Sequence, residues 1–286
     1  MRYERPDTIQ AATALLAGAE AKSFVLAGGT DLLVRMQNDD FEADLIVDIK
    51  AISGMAKVTE TDDGFVIGAG VPSVALFEDT ALAAAWPGVV EAANLIGSTQ
   101  IQGRCTIVGN LCNASPAADS VPALVAAGAV AQVAGPSGTR DVAVIDIPTG
   151  PGKTSLAKGE IIEAVVLQKP EARAGDAYLR FIPRTEMDIA VVGVGVNLTL
   201  DEGGIVTAAR VALGAVGPKV ILVNAAAKTL IGSKLEDTAI EALAEACSAA
   251  STPIDDKRGT VAFRKQVVGV LARRAAQTAY TRAGGK

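Results

Sequence analysis

Two glycine-bearing turns stand about eighty residues apart in this chain. The first, Ala27-Gly28-Gly29-Thr30-Asp31, follows the apolar run Phe24-Val25-Leu26 and leads into Leu32. The second, Thr106-Ile107-Val108-Gly109-Asn110, runs on through Asn113, Ser115 and Pro116 to Asp119. In each, a strand-like run meets glycine with small hydroxyl or amide side chains. Such a turn aims several backbone N–H groups at one point, because glycine permits φ > 0 and lets a ligand approach the main chain. Two of them facing each other would hold a pyrophosphate from both sides. A single Gly-Gly-Thr-Asp turn is unspecific; the pair, with the Asn-x-x-Asn-x-Ser-x-x-x-Asp run beginning at Asn110, is far more so.

Chemistry is bounded as firmly by what is missing. The chain contains no histidine. Ser-His-Asp and Cys-His nucleophilic centres and His metal ligands are therefore excluded. So is FAD attached covalently through a histidine. Proton transfer would fall to Asp, Glu, Lys, Tyr or Cys, and a cofactor is expected to carry the reaction. The three cysteines, Cys105, Cys112 and Cys247, lack the spacing of an iron–sulfur or zinc site and are odd in number for a disulfide framework. They read as small packing residues. Pro151-Gly152-Lys153-Thr154 lacks the earlier glycine of a phosphate loop and reads as a turn.

The paired turns lie within stretches that resemble the FAD-binding medium subunit of the molybdenum hydroxylases, the family of carbon monoxide and xanthine dehydrogenases. The matching stretches are Ala27 to Leu33, Ile96 to Asp119, Arg184 to Ala190 and Thr252 to Arg274. The resemblance implies an α+β chain: a two-lobed FAD-binding domain of the PCMH (vanillyl-alcohol-oxidase-like) type, then a smaller α+β domain with an antiparallel sheet and helices. The expected domains are residues 1–172, with lobes of about 1–56 and 57–172, and residues 173–286. FAD is the implied cofactor, held by Leu26, Ala27, Gly28, Gly29, Thr30, Asp31 and Leu32 from the first turn. Thr106, Gly109, Asn110, Asn113 and Ser115 would approach from the second, with Asp119 accepting from ribose or adenine. Asp31 is expected to turn its carboxylate away and cap the following helix. The family often has Gly-Gly-Asn where this chain has Val108-Gly109-Asn110, so the side chain of Val108 should point away from the cofactor. Asp188 is expected as a flavin contact, or else as the salt-bridge partner of Arg184.

The resemblance also implies partners: an iron–sulfur small subunit with 2Fe-2S clusters and a molybdopterin large subunit, assembled as a dimer of heterotrimers. The Cys-bearing insertion of some aromatic acyl-CoA reductase subunits is absent, which argues against a further cluster here. Electrons would pass from the clusters to FAD and on to NAD⁺, a quinone, a cytochrome or O₂. The other readings are a self-sufficient FAD-dependent oxidoreductase of the same fold superfamily and a structural subunit that has lost FAD.

Composition agrees. The 286 residues are half hydrophobic, with 29 Gly but one Trp and three Tyr, so the core is built of small aliphatic side chains. Net charge is −6 and no basic run stands out, which excludes a nucleic-acid partner. No apolar stretch is long enough to span a membrane, and the first residues carry no apolar signal core, so the cytoplasm is expected.

Periodicity supplies the scaffold. Helical spacing over Thr8 to Gly18 starts at a cap on Asp7 or Thr8. Strands are expected at Phe24–Ala27, Leu45–Ile49, Gly64–Gly70, Val130–Val133, Arg140–Val144 and Ile161–Leu167. Helical segments fill Leu76 to Ile96, broken at Trp86-Pro87, and Ser120 to Ala127. Gln102 to Asp119 reads as loop and Pro170 to Gly175 as a linker. Ile189–Leu200 and Ile205–Val216 read as a hairpin around Asp-Glu-Gly-Gly, followed by two helices. On the second of these, Arg264, Lys265, Arg273 and Arg274 are expected on a solvated or interface face.

Overall fold

The computed structural model describes residues 1–285. The chain begins with a small parallel sheet. Strands β1 (Arg2–Glu4) and β2 (Ser23–Leu26) both pair with β3 (Leu45–Asp48), giving the order β1-β3-β2. Helix α1 (Ile9–Gly18) connects the first two; its Thr8 accepts the Ala11 N–H and so sets the helix start. Helix α2 (Leu32–Gln37) follows the first glycine turn.

A five-stranded antiparallel sheet comes next, in the order β4-β5-β10-β6-β7. Its strands are β4 (Val58–Thr61), β5 (Gly64–Gly68), β6 (Val130–Gly135), β7 (Gly138–Ala143) and β10 (Ile161–Gln168). A hairpin of β8 (Pro148–Gly150) and β9 (Lys153–Thr154) encloses the Pro151-Gly152 turn. Between β5 and β6 lie six short helices: α3 (Ser73–Glu78), α4 (Thr80–Ala85), α5 (Pro87–Asn94), α6 (Thr99–Gln102), α7 (Ile107–Cys112) and α8 (Ser120–Ala126). The break at Trp86-Pro87 is present, and Asp79 adds another by capping α4 through the Leu82 N–H. Contrary to the loop expected over 102–119, Ile107 to Cys112 is helical. Thr106 caps it locally by accepting the Gly109 N–H, which outweighs the glycine-rich composition.

The rest of the chain forms a four-stranded antiparallel sheet, β11-β12-β13-β14, with strands at Ala174–Phe181, Val192–Leu200, Val206–Gly214 and Ile221–Leu222. It is covered by α9 (Asn224–Leu230), α10 (Asp237–Ala250) and α11 (Val261–Arg282). The expected hairpin is β12 and β13. Strand β11 starts within the expected linker, at Ala174, and runs on through residues that were given no element. It carries Asp176 and Arg180, charges that break any apolar pattern but are buried and bonded.

Helix α8 packs against the C-terminal sheet, with all seven residues buried. Gly195 on β12 and Gly214 on β13 make room for it: a Cβ on Gly195 would stand 2.5 Å from the Pro122 carbonyl oxygen, and one on Gly214 2.7 Å from Pro122 Cγ. Arg210 of β13 caps its far end, donating from Nη2 to the Val125 carbonyl at 2.9 Å and from Nε to that of Ala126 at 3.1 Å. Arg264 corrects the expectation of a solvated helix face. It is 4% exposed, and Nη1 donates to Val191 O while Nη2 pairs with Asp256, both at 2.8 Å. That guanidinium ties α11 to the sheet and the preceding loop.

Candidate functional site: a cavity between two glycine turns

The first turn leaves β2 at Leu26, which sits opposite Asp48 in the parallel register. Gly29 has φ of 78°, a left-handed conformation that glycine adopts without strain. Gly28 is needed for another reason. A Cβ there would lie 2.0 Å from the carbonyl oxygen of Arg104, so the first turn packs main chain to main chain against the approach to the second. The backbone amides of Gly28, Gly29, Thr30 and Asp31 have no acceptor among the described residues. Successive main-chain donors left free in a glycine turn form a concavity that can bind an anion.

In the second turn the Thr106 hydroxyl takes the Gly109 N–H at 2.8 Å, while the amides of Ile107 and Val108 stay unpaired at the start of α7. The Asn110 side chain has a fixed orientation. Its Oδ1 accepts from the Ser120 main-chain N–H at 3.1 Å and the Ser120 hydroxyl at 2.7 Å, capping α8. A backbone N–H can only donate, so the Asn110 oxygen faces Ser120 and its NH₂ is left for a ligand.

Between the turns lies a cavity of about 300 Å³, whose far wall includes Ile161 and Ile162 of β10. Ala27, Gly28, Gly29, Thr30, Asp31, Leu32, Thr106, Gly109, Asn110 and Asn113 all line it. Val108 borders it as well, and is 5% exposed and packed in the core. Asp31 departs from its expected role. It makes no cap bond to α2, and its Oδ1 accepts from Asn113 Nδ2 at 3.2 Å, joining one turn to the other. Burial raises its carboxyl above the ordinary value, and Arg35 lowers it by less.

Four expected residues do not border the cavity. Leu26 lies beneath it, and its Cδ1 would be 2.9 Å from a Cβ on Gly29. Ser115 holds its own loop by accepting the Ala117 N–H. Asp119 is buried and pairs with Arg180 of β11 at 2.8 Å, with the Tyr178 hydroxyl donating at 3.4 Å. Burial pushes the Asp119 carboxyl up to about 6, against the opposing pull of Arg180. Asp188 belongs to a separate cluster with Arg184 at 3.3 Å and Arg258 at 3.5 Å. Burial works upward on its carboxyl, but hydrogen bonds from Arg184 and the Ile189 amide hold it down at about 2.

Sequence reasoning missed Arg180, the partner of Asp119, and Lys50, whose ammonium donates to the Ala27 carbonyl at 3.0 Å. Neither borders the cavity; both act behind it, from across the fold, and have no local motif. The signal available for Arg180 was a lone cation within an otherwise strand-compatible run.

A family model for the FAD-binding domain of molybdopterin dehydrogenases matches residues 1–170, and one for the carbon monoxide dehydrogenase flavoprotein C-terminal domain matches 177–279. The chain belongs to the FAD-binding medium subunits of the molybdenum hydroxylases. It is 31% identical to a putative xanthine dehydrogenase FAD-binding subunit of Escherichia coli, over 99% of this chain and 97% of that one. It is 32% identical to the carbon monoxide dehydrogenase medium chain of Afipia carboxidovorans, over 98% and 97%. A solved structure of reconstituted CO dehydrogenase from Oligotropha carboxidovorans superposes with a TM-score of 0.94 at 31% identity, covering 99% of this chain and 98% of that chain. The family's α+β architecture and its oxidoreductase role as a flavoprotein subunit therefore apply to this chain.

Proposed function

We propose that the cavity holds the diphosphate and adenosine half of FAD, and that the chain relays electrons within a molybdenum hydroxylase complex. The observation that carries the first part is the row of four unpaired amides from Gly28 to Asp31 facing a second turn across one cavity. A diphosphate needs converging donors, and these cost no reorganisation. Thr30 Oγ and the Asn110 NH₂ add side-chain donors. The amides of Ile107 and Val108 supply the second side. Asn113 restrains the Asp31 carboxylate at the rim, which limits its repulsion of the phosphates. The apolar wall at Ile161 and Ile162 suits an adenine face. A cavity of about 300 Å³ is at the small end of ligand pockets and matches one end of an extended dinucleotide. Leu26, Ser115 and Asp119 support the two turns from behind, and Asp188 lies outside this half of the site.

FAD, when bound, supplies a centre that accepts and releases electrons. The protein's part is to bind, orient and shield it. In this reading the molybdenum and 2Fe-2S centres sit on partner subunits. A small iron–sulfur subunit and a large molybdopterin subunit, paired as a dimer of heterotrimers, complete the reading, with the cytoplasm as its location. No described helix is long and apolar enough to cross a membrane.

Co-expression with genes for the two partners, followed by a pull-down on a tag carried by this chain, tests the assembly. The expected result is a three-part complex that oxidises its substrate, while the isolated chain does not. Turnover by the isolated chain at the rate of the complex would replace the relay with a self-sufficient flavin oxidoreductase.

A further inference from the structure

Behind the first turn lies a polar network of Tyr3, Asp48 and Lys50. The parallel register sets Leu26 of β2 against Asp48 of β3, so the residues leaving both strands lie side by side. Ala27 thus comes to rest beside the helical turn Ile49–Ala51. Asp48 is 4% exposed. Its Oδ1 accepts the Lys50 amide at 3.0 Å and the Lys50 ammonium at 2.7 Å, and its Oδ2 accepts the Tyr3 hydroxyl at 2.6 Å. Burial alone would raise the Asp48 carboxyl, but the hydrogen bonds from Lys50 and Tyr3 outweigh it and hold the group below its ordinary value. The Lys50 ammonium then donates onward to the Ala27 carbonyl at 3.0 Å.

A lysine usually leaves its ammonium in water. Here two of its three N–H bonds are committed, one to a buried carboxylate and one to the main chain of the binding turn. The peptide joining Ala27 to Gly28 is trans, so its C=O and N–H point in opposite directions. Lys50 does not border the cavity, whereas Ala27 and Gly28 do. Holding the carbonyl toward Lys50 therefore sets the Gly28 N–H on the opposite side of the peptide, where it has no protein acceptor.

We propose that Lys50 is a positioning residue for the anion-binding turn: its ammonium fixes the Ala27–Gly28 peptide so that the Gly28 N–H, rather than the Ala27 oxygen, meets a diphosphate. The proposal rests on the nucleotide reading of the cavity. Asp48 neutralises the lysine charge at 2.7 Å, so the effect is one of orientation and not of long-range attraction. Without the ammonium, the peptide adjoins two glycines, the least restrained of residues. Rotation there would present a carbonyl oxygen to the phosphates.

The test uses the flavin-free full chain, titrated calorimetrically with ADP and with adenosine, beside a thermal melt. Lys50→Met should weaken ADP about tenfold, the scale of one well-made hydrogen bond to a charged group, and leave adenosine within about twofold. Lys50→Arg, which can still donate to both acceptors, should recover most of the ADP affinity. Lys50→Met leaves a buried carboxylate without its cation, so the double variant Asp48→Asn/Lys50→Met guards against misfolding. It should melt near the native chain and still lose ADP. Unchanged ADP affinity, or parallel loss of ADP and adenosine, overturns the positioning role. A native chain that binds neither ADP nor FAD overturns the nucleotide reading itself.

Discussion

Two residues of the site separate packing from ligand contact. Gly28 has no room for a side chain, because the Arg104 carbonyl oxygen would stand 2.0 Å from its Cβ. Gly28→Ala must push the two turns apart, so it should both cost about 1–3 kcal/mol of stability and lose flavin. Asn110→Asp should behave differently. The new carboxylate can still accept from Ser120 and cap α8, but it replaces the free NH₂ with an oxygen facing the diphosphate. Its melt should stay close to native while FAD affinity falls at least about tenfold. The flavin-to-protein absorbance ratio, read beside a circular dichroism melt, distinguishes the two outcomes. An Asn110→Asp chain that keeps full flavin would remove that side chain from the site.

At the level of elements, the site depends on α8. Asn110 holds its start and Arg210 its end, and Gly195 and Gly214 admit it against the C-terminal sheet. Gly195→Ala would set a methyl 2.5 Å from the Pro122 carbonyl oxygen and should destabilise the chain by about 1–3 kcal/mol, seen as a lower denaturation midpoint with an unchanged slope. An unshifted midpoint would mean that the seam yields. The same elements show what was legible in the sequence. The glycine turns, most strands of the second sheet and the β12–β13 hairpin carry local signals: apolar runs that stop at Gly, Asn or Asp. Helix α7 was hidden because its cap, Thr106, sits in a glycine- and amide-rich stretch that resembles a loop. Strand β11 was hidden because Asp176 and Arg180 look like surface charges until their partners, on α5 and just before α8, are known. Lys50, Arg210 and Arg264 act through main-chain carbonyls far away in sequence, and no spacing reveals such contacts.

Across the whole molecule, buried carboxylates join the C-terminal sheet to the FAD-binding part. Asp176 of β11 accepts the Val89 N–H at the start of α5 at 3.0 Å, and Arg282 and Glu91 lie nearby. Burial pushes its carboxyl up to about 6, further than the amides of Gly88 and Val89 and the charge of Arg282 pull it down. In the unfolded chain an aspartate titrates near 4. Between these values the folded chain holds the extra proton, so this group's contribution to stability is present below about pH 4 and is lost as the pH rises through about 6. Asp176→Asn keeps the acceptor for the Val89 N–H without a charge to bury. Its stability relative to the native chain should therefore rise between pH 4 and pH 7 by about 2–3 kcal/mol. Denaturant unfolding at both pH values checks this, and a difference that does not change with pH would refute it. The central claim concerns the cavity between the turns, and the most direct test is to precipitate the purified chain with acid and assay the supernatant. One FAD per chain, released without covalent attachment, is the predicted result; FMN, no flavin, or flavin retained on the precipitate would contradict it.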